Sequence, residues 1–304
     1  MCTVADADSL RFMVALATSE GMIFIFIDAS NVFQTNIISN PAKRHYISIP
    51  TMYMEWIKER WHNHPILKYA AKDLVMQSLR NIQGTKDAGY EWYQLLSKIF
   101  NAVGMIVNTT CKGVFTWFRD GHKALLALAT DDMLFATTHI SLFHILIEEF
   151  DKYFSMIVLQ GTQLTFLNYK IIQSEYGTSM DKTNHIEQKI LAEYFGKIEP
   201  SSVPFQSSPF PTNNSFEMEL FQALPLSEQE LVTYTKRLKG SYNHWTGAIQ
   251  HISCGSRVDI GYAIMRLAGY NACPKAPCFK ALHQFMQYLF HHPHIPIMYP
   301  RKAT

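Results

Sequence analysis

The stretch 126–137, LALATDDMLFAT, decides the fold class. Two apolar arms, each the length of a short strand, flank the pair Asp131–Asp132. Continuous apolar runs this short read as buried strands, and a polar pair between them reads as a tight turn. Just upstream, Val114–Phe118 and Ala124–Ala129 flank Asp120–Gly121, a strong hairpin signal because both turn residues tolerate positive φ. The chain therefore doubles back twice in succession, as an antiparallel meander does.

Outward from this centre, helices and hairpins mix. Ser9 reads as a helix N-cap, Leu10, Met13, Val14 and Leu16 keep helical spacing, and Gly21 sits where that helix would stop. Met22–Ile27 reads as a buried strand ending at Asp28, and residues 29–36 as a short helix capped by Asp28. Tyr46–Pro50 suggests an edge strand. Ala70–Asn81 reads as extended structure or a short helix leading into a loop with Gly84 and Gly89. Tyr90–Val103 is a helix with Trp92, Leu95, Leu96 and Ile99 on one side. His144–Phe154 is helical. Leu164–Ile172 and Thr178–Met180 form a hairpin across Tyr176–Gly177, and a helix follows from about Asn184 to Phe195. Residues 199–226, rich in Pro, Ser and Asn, read as a linker. Residues 227–304 are mostly helical, with Phe279, Leu282, Phe285, Met286 and Leu289 on one face of a terminal helix. No internal repeat is visible. Helices interspersed with antiparallel hairpins make the class α+β.

Composition narrows the function classes. With 48% apolar and 17% charged residues the chain is globular in character. A net charge of +2 neither demands nor excludes a nucleic-acid partner. Five cysteines, an odd number without CxxC spacing, argue against a disulfide framework and for a reducing, intracellular compartment, cytoplasmic or nuclear. His291, His292 and His294 could bind zinc, but Pro293 breaks their helical presentation. No apolar run is long enough to cross a bilayer, so no membrane partner is expected.

The chemistry lies in the aspartates. Asp28 alone reads as an N-cap, and Asp131–Asp132 alone as a polar turn. If their strands lie side by side, however, three carboxylates gather at one sheet edge. Like charges tolerate that only when a cation or protons offset them. Two divalent ions about 4 Å apart clamp an in-line phosphoryl displacement, and all-oxygen ligands suit Mg²⁺ or Mn²⁺.

The segments around these residues resemble the reverse transcriptase of copia-type LTR-retrotransposon polyproteins. FIDASNVFQTN, SLRNIQGTKDAGYEWYQLL, LALATDDMLFAT, LTFLNYKIIQSEYGTSMDKTNHIEQKIL and CGSRVDIGYAIMRLAGYNACPKAPCFKALHQFMQYL occur in that family's order and span nearly the whole chain. The resemblance implies a polymerase palm with antiparallel sheet, flanking helices and partial fingers over 1–198. The linker follows at 199–226, and then a helical thumb- or connection-like region at 227–304.

The resemblance also implies that Asp28, Asp131 and Asp132 are the catalytic, metal-binding triad. Phe33 would pack under the incoming sugar, though it reads equally as a core residue. Gln83, Gly84 and Lys86 would form the loop that approaches nucleotide and template; Lys86 alone reads as a solvated charge. Trp92 and Tyr93 read as core, and Arg257 with Asp259 as a structural ion pair. The implied partners are primer–template nucleic acid and deoxynucleoside triphosphates, with two Mg²⁺ or Mn²⁺ ions.

Several positions depart from the family pattern. Ala129 stands where a tyrosine is usual, Tyr90 where a basic residue is usual, Asn168 where a turn glycine is usual, and Val258 where a proline is usual. Only 27 residues precede Asp28, which implies shortened fingers, and the chain stops where a ribonuclease H domain would begin. The expectation is therefore an RNA-directed DNA polymerase impaired by truncation. The alternative is an inactive relic that binds nucleic acid or serves as a protein-interaction module, self-association included.

Overall fold

The protein is described from a computed structural model that covers residues 4–30, 32–35, 44–82, 84–111 and 113–302. The chain falls into two compact units. One is built mainly from Ile27–Phe135 and His139–Val158, the other from Ala5–Phe26, Ala136–Thr138 and Leu159–Thr304.

Helix α1 (Ala7–Ser19) opens the described chain. Its N-cap is Asp6, whose carboxylate accepts from the Ser9 N–H at 2.7 Å. Ser9 is therefore an N3 residue, and buried, rather than the cap; an ionised carboxylate is the stronger acceptor for an orphan helix N–H. Gly21, at φ 69°, turns the chain into β1 (Ile23–Ala29). Asp28 lies within this strand rather than after it. The short helix α2 (Val32–Thr35) follows, then β2 (Tyr46–Ser48), α3 (Thr51–Arg60) and β3 (Val75–Gln77). Strands β2 and β3 pair antiparallel as a separate two-stranded sheet.

Helix α4 (Lys86–Val103) starts earlier than apolar spacing suggests and absorbs Gly89 into its first turns. Its inward face carries Trp92, Leu96 and Ile99, all fully buried, and Gly104 at φ 87° ends it. Next come β4 (Ile106–Val107), β5 (Val114–Arg119), β6 (His122–Ala129), β7 (Asp132–Thr137), α5 (Ile140–Phe150) and β8 (Met156–Gln160). Between β5 and β6, Asp120 and Gly121 both take positive φ, as a type I′ turn requires, and Arg119 pairs with His122. Helix α5 begins four residues before the expected start, with His139 as its N-cap.

The main sheet has the order β4-β5-β6-β7-β1-β8. Strand β1, first in sequence among these, thus sits beside β7. Its alternate residues Ile25, Ile27 and Ala29 are buried, and β6 and β7 contribute almost wholly buried runs. This explains their continuous apolar sequences: a central strand buries both faces.

The second unit contains a four-stranded sheet formed by β9 (Gln163–Phe166), β10 (Tyr169–Gln173), β11 (Gly177–Asp181) and, near the end of the chain, β12 (Ile297–Pro300). Its order is β12-β11-β10-β9. The expected single strand 164–172 is broken by a turn at Leu167–Asn168, where both residues take positive φ. Gly177 is needed where β11 meets β12: a Cβ there would lie 2.1 Å from the Tyr299 carbonyl oxygen.

The helical run 183–195 comprises α6 (Thr183–His185), a π-helical segment (Ile186–Leu191) and α7 (Ala192–Phe195). Residues 199–226 bury Val203, Phe210, Phe216 and Leu220, the last two on α8 (Asn214–Gln222). Helix α9 (Glu228–Arg237) carries a full capping box between Ser227 and Glu230. Then follow α10 (Tyr242–Gly255), α11 (Gly261–Ala268) and α12 (Ala276–His291). Phe279, Leu282, Phe285, Met286 and Leu289 of α12 form the centre of this unit's core with Trp245, Ile249 and Ile252 of α10.

Arg257, 1% exposed, makes two 2.8 Å bonds to the Asp259 carboxylate and a third, of 2.7 Å, to the His292 carbonyl. The Tyr288 hydroxyl donates to Asp259 as well. Burial pushes the Asp259 carboxyl up, but the Arg257 hydrogen bonds and charge outweigh it and hold it below the usual range.

Candidate active site

The six-stranded sheet places Asp28 on β1 next to β7, whose first residue is Asp132. Asp131 sits in the connecting turn, and its carbonyl accepts from the Ala29 N–H at 3.1 Å. The turn itself is Thr130–Asp131, one residue earlier than the Asp131–Asp132 expected from sequence. Asp132 already belongs to the strand. Thr130 adopts φ 61° and Asp131 does not take positive φ, the sign pattern of a type II′ turn, whose first central position glycine normally fills. A β-branched residue there is a backbone outlier.

All three aspartates are half-buried. Burial, then the charge of Asp131, then that of Asp28, raise the Asp132 carboxyl to about 6. Asp28 and Asp132, 104 residues apart in sequence, thus come onto neighbouring strands of one sheet. Among the described residues, no three His, Cys, Asp or Glu side chains form a ready-made ligand set. The donor chemistry nonetheless fits a hard divalent cation. The set is all oxygen, it carries surplus negative charge, and a bound cation would relieve the repulsion that raises Asp132.

The other expected site residues are placed unevenly. Phe33 is half-buried on α2, which packs against α4. Gly84 is exposed at φ 95° with open space where a side chain would go. Lys86 is the first residue of α4, and its side chain lies outside the described residues, as does Gln83 altogether. Ala129 is 5% exposed at the end of β6, immediately before the turn.

Sequence reasoning assigned Trp92 to the core. It is fully buried, yet its indole N–H also donates to the Thr130 carbonyl at 2.6 Å. The available signal was weak: a buried tryptophan needs one acceptor, but sequence does not say which. The three histidines near the end of the chain separate. His291 reaches the Val203 carbonyl, His292 the Gln206 carbonyl, and His294 the Thr183 hydroxyl, so each satisfies a different polar group of the fold. The described cysteines, Cys111, Cys254, Cys273 and Cys278, are free thiols. No helix among the described residues is long and apolar enough to cross a membrane.

Residues 1–206 match the family described as "Reverse transcriptase (RNA-dependent DNA polymerase)". The chain is also similar to the "Retrovirus-related Pol polyprotein from transposon RE1" of Arabidopsis thaliana, with 19% identity over 286 residues. That alignment covers 94% of this chain and 17% of the polyprotein, so the chain corresponds to a minor part of its relative's length. With the match covering two thirds of its residues, and with an α+β architecture to go with it, the chain belongs to the reverse transcriptase family.

Proposed function

We propose that the chain acts as the RNA-directed DNA polymerase of a copia-type retrotransposon, adding deoxynucleotides to a primer on a nucleic-acid template. The observation that carries this reading is the placement of Asp28 on β1 beside β7, which begins at Asp132, with the Ala29 N–H bound to the Asp131 carbonyl. An isolated cap and an isolated polar turn would not be joined by adjacent strands and a backbone hydrogen bond.

Asp28, Asp131 and Asp132 would hold two Mg²⁺ or Mn²⁺ ions, which when bound supply charge stabilisation for phosphoryl displacement. Asp28 and Asp132 lie on two neighbouring strands and Asp131 in the adjoining turn, so a cation would draw together carboxylates carried by one end of the sheet. Phe33, on the helix packed against α4, would flank the incoming sugar. Gly84, with no side chain and open space around it, would let backbone approach the nucleotide, and Gln83 and Lys86, near it in sequence, would serve the same loop.

Primer extension with Mg²⁺ and with Mn²⁺ tests the reading. Extension by the wild-type chain that disappears in Asp28→Asn is the expected result. Extension that survives this substitution, or no extension with either ion, removes it.

A second reading is favoured by Ala129. The family it resembles carries a tyrosine there, and in this structure the position is a buried alanine. A chain lacking that ring could hold a duplex without turning over. Salt-sensitive binding of primer–template with no extension supports this second reading.

A further inference from the structure

We propose that Trp92 is a positioning residue for the aspartate turn, acting through the Thr130 peptide. This rests on the reading of Asp131 and Asp132 as cation ligands. Three observations converge. The Trp92 indole N–H lies 2.6 Å from the Thr130 carbonyl oxygen. Thr130 is held at φ 61°, where a β-branched residue is strained. The next carbonyl, that of Asp131, is tied to the Ala29 N–H. Two successive peptides of one turn are therefore pinned by different elements, one by a side chain of α4 and one by the backbone of β1.

Strained backbone persists only where its surroundings over-determine it. Trp92 is suited to that task. It is fully buried and packs edge-on against Phe154 at 5.0 Å, so its ring has no room to swing away. An indole offers one donor and no acceptor, so the bond has a single direction. Without it, Thr130 would be free to relax towards negative φ. The peptide joining it to Asp131 would then rotate, and both carboxylates would leave their present settings. Asp131 and Asp132 sit one and two residues from the pinned carbonyl, so a small rotation there is felt fully at the ligands.

The test uses the full chain with Trp92→Phe, Thr130→Gly and the double variant, and reads Mn²⁺ affinity by electron paramagnetic resonance alongside thermal melting. Trp92→Phe should weaken Mn²⁺ binding by about tenfold, the loss of one net hydrogen bond. Thr130→Gly should bind near the wild-type level, because glycine adopts this φ without strain. The double variant should recover most of the loss for the same reason, although the smaller phenylalanine ring still leaves its packing looser.

A Trp92→Phe chain that melts lower but binds Mn²⁺ like wild type overturns the proposal and leaves Trp92 a core residue. A double variant as weak as Trp92→Phe overturns it too. Wild type that binds no Mn²⁺ removes the cation site and this proposal together, so the two failures are distinguishable. Should Trp92→Phe not fold, 3-benzothienylalanine at position 92 keeps the bicyclic shape and loses only the N–H, and the same comparison applies.

Discussion

The backbone N–H of Ala29 donates to the carbonyl of Asp131 at 3.1 Å, tying the residue after Asp28 to the turn that carries the other two aspartates. The carboxylates are thereby held within electrostatic reach, and Asp132 is raised to about 6 by burial and by its neighbours' charges. An upward shift means that the fold favours the protonated form. The stabilisation it brings is full below the unfolded value of 3.8 and is lost as pH rises through about 6. At pH 7 without divalent ions, Asp132→Asn should therefore raise Tm, and the advantage over wild type should shrink below pH 6. Adding Mn²⁺ should raise Tm of the wild type more than that of the variant. Melting curves across pH, with and without Mn²⁺, check both; equal Tm values throughout would refute the coupling.

Lys182 gives a second pH signature. It is buried, with Nζ 2.8 Å from His251 Nε2 and 4.3 Å from the Tyr169 ring centroid, and burial lowers it to about 8. A lowered lysine means that the unfolded chain binds more protons between pH 8 and 10.5, so folding stability should rise with pH across that window. Lys182→Met should remove this component. The difference in Tm between wild type and variant, followed from pH 7 to 10.5, should change in favour of wild type; a constant difference would contradict it.

The Arg257–Asp259 pair is a structural commitment of the second unit. Removing one partner leaves the other charge with too few bonds, Arg257 most severely because it is 1% exposed. Asp259→Ala should cost about 3 kcal/mol or more of unfolding free energy in urea titration. Arg257→Lys should not restore stability, because one ammonium cannot replace a two-pronged bond to Asp259 plus the bond to the His292 carbonyl. A near-neutral Arg257→Lys would show that the geometry carries little energy.

The turn at Leu167–Asn168 carries avoidable strain. Both residues sit at positive φ, 49° and 63°, and Phe166 pairs with Tyr169 across them. Asparagine tolerates this region, whereas leucine does not, at a cost of about 1–2 kcal/mol. Leu167→Asn should stabilise the chain by about 1 kcal/mol, less whatever contact the half-buried leucine makes. Asn168→Gly should be neutral or slightly stabilising, since glycine takes the φ of 63° at this position without steric cost. A fall in Tm for both would argue that the leucine side chain matters more than the turn.

Ala129 offers a direct test of what its neighbours have done with the space. At 5% exposure it has no obvious room for a phenol ring. Ala129→Tyr should destabilise the chain by about 1–3 kcal/mol through overpacking. A tyrosine accepted without loss of Tm, together with improved primer extension, would show that the surroundings still accommodate the family's residue.

Much of this protein is decided by local pattern. Alternation and short apolar runs set β1, β5, β6 and β7, because strands buried on both faces need continuous apolar sequence. Asp120–Gly121 specified its turn because few residue pairs adopt two positive φ angles cheaply. The apolar stripe of α12 specified a core helix. The family segments, read in order, pointed to reverse transcriptase, and the match over residues 1–206 agrees.

Tertiary structure decided the rest. Strand order is a long-range property: nothing near Asp28 states that β1 will lie beside β7, and only the assembled sheet brings the strands that carry those carboxylates together. The same holds for β12, a short segment with no strong pattern of its own, which becomes a strand because β11 offers an unpaired edge. It holds for the Pro-rich stretch, whose few apolar side chains find a core to enter. And it holds for Trp92, buried by its helical spacing, whose N–H reached the aspartate turn only because α4 packs over that end of the sheet. Sequence determined which segments are strand, helix and turn, and which residues carry charge. Packing determined which of those charges and donors meet, because meeting depends on elements a hundred residues apart finding one another.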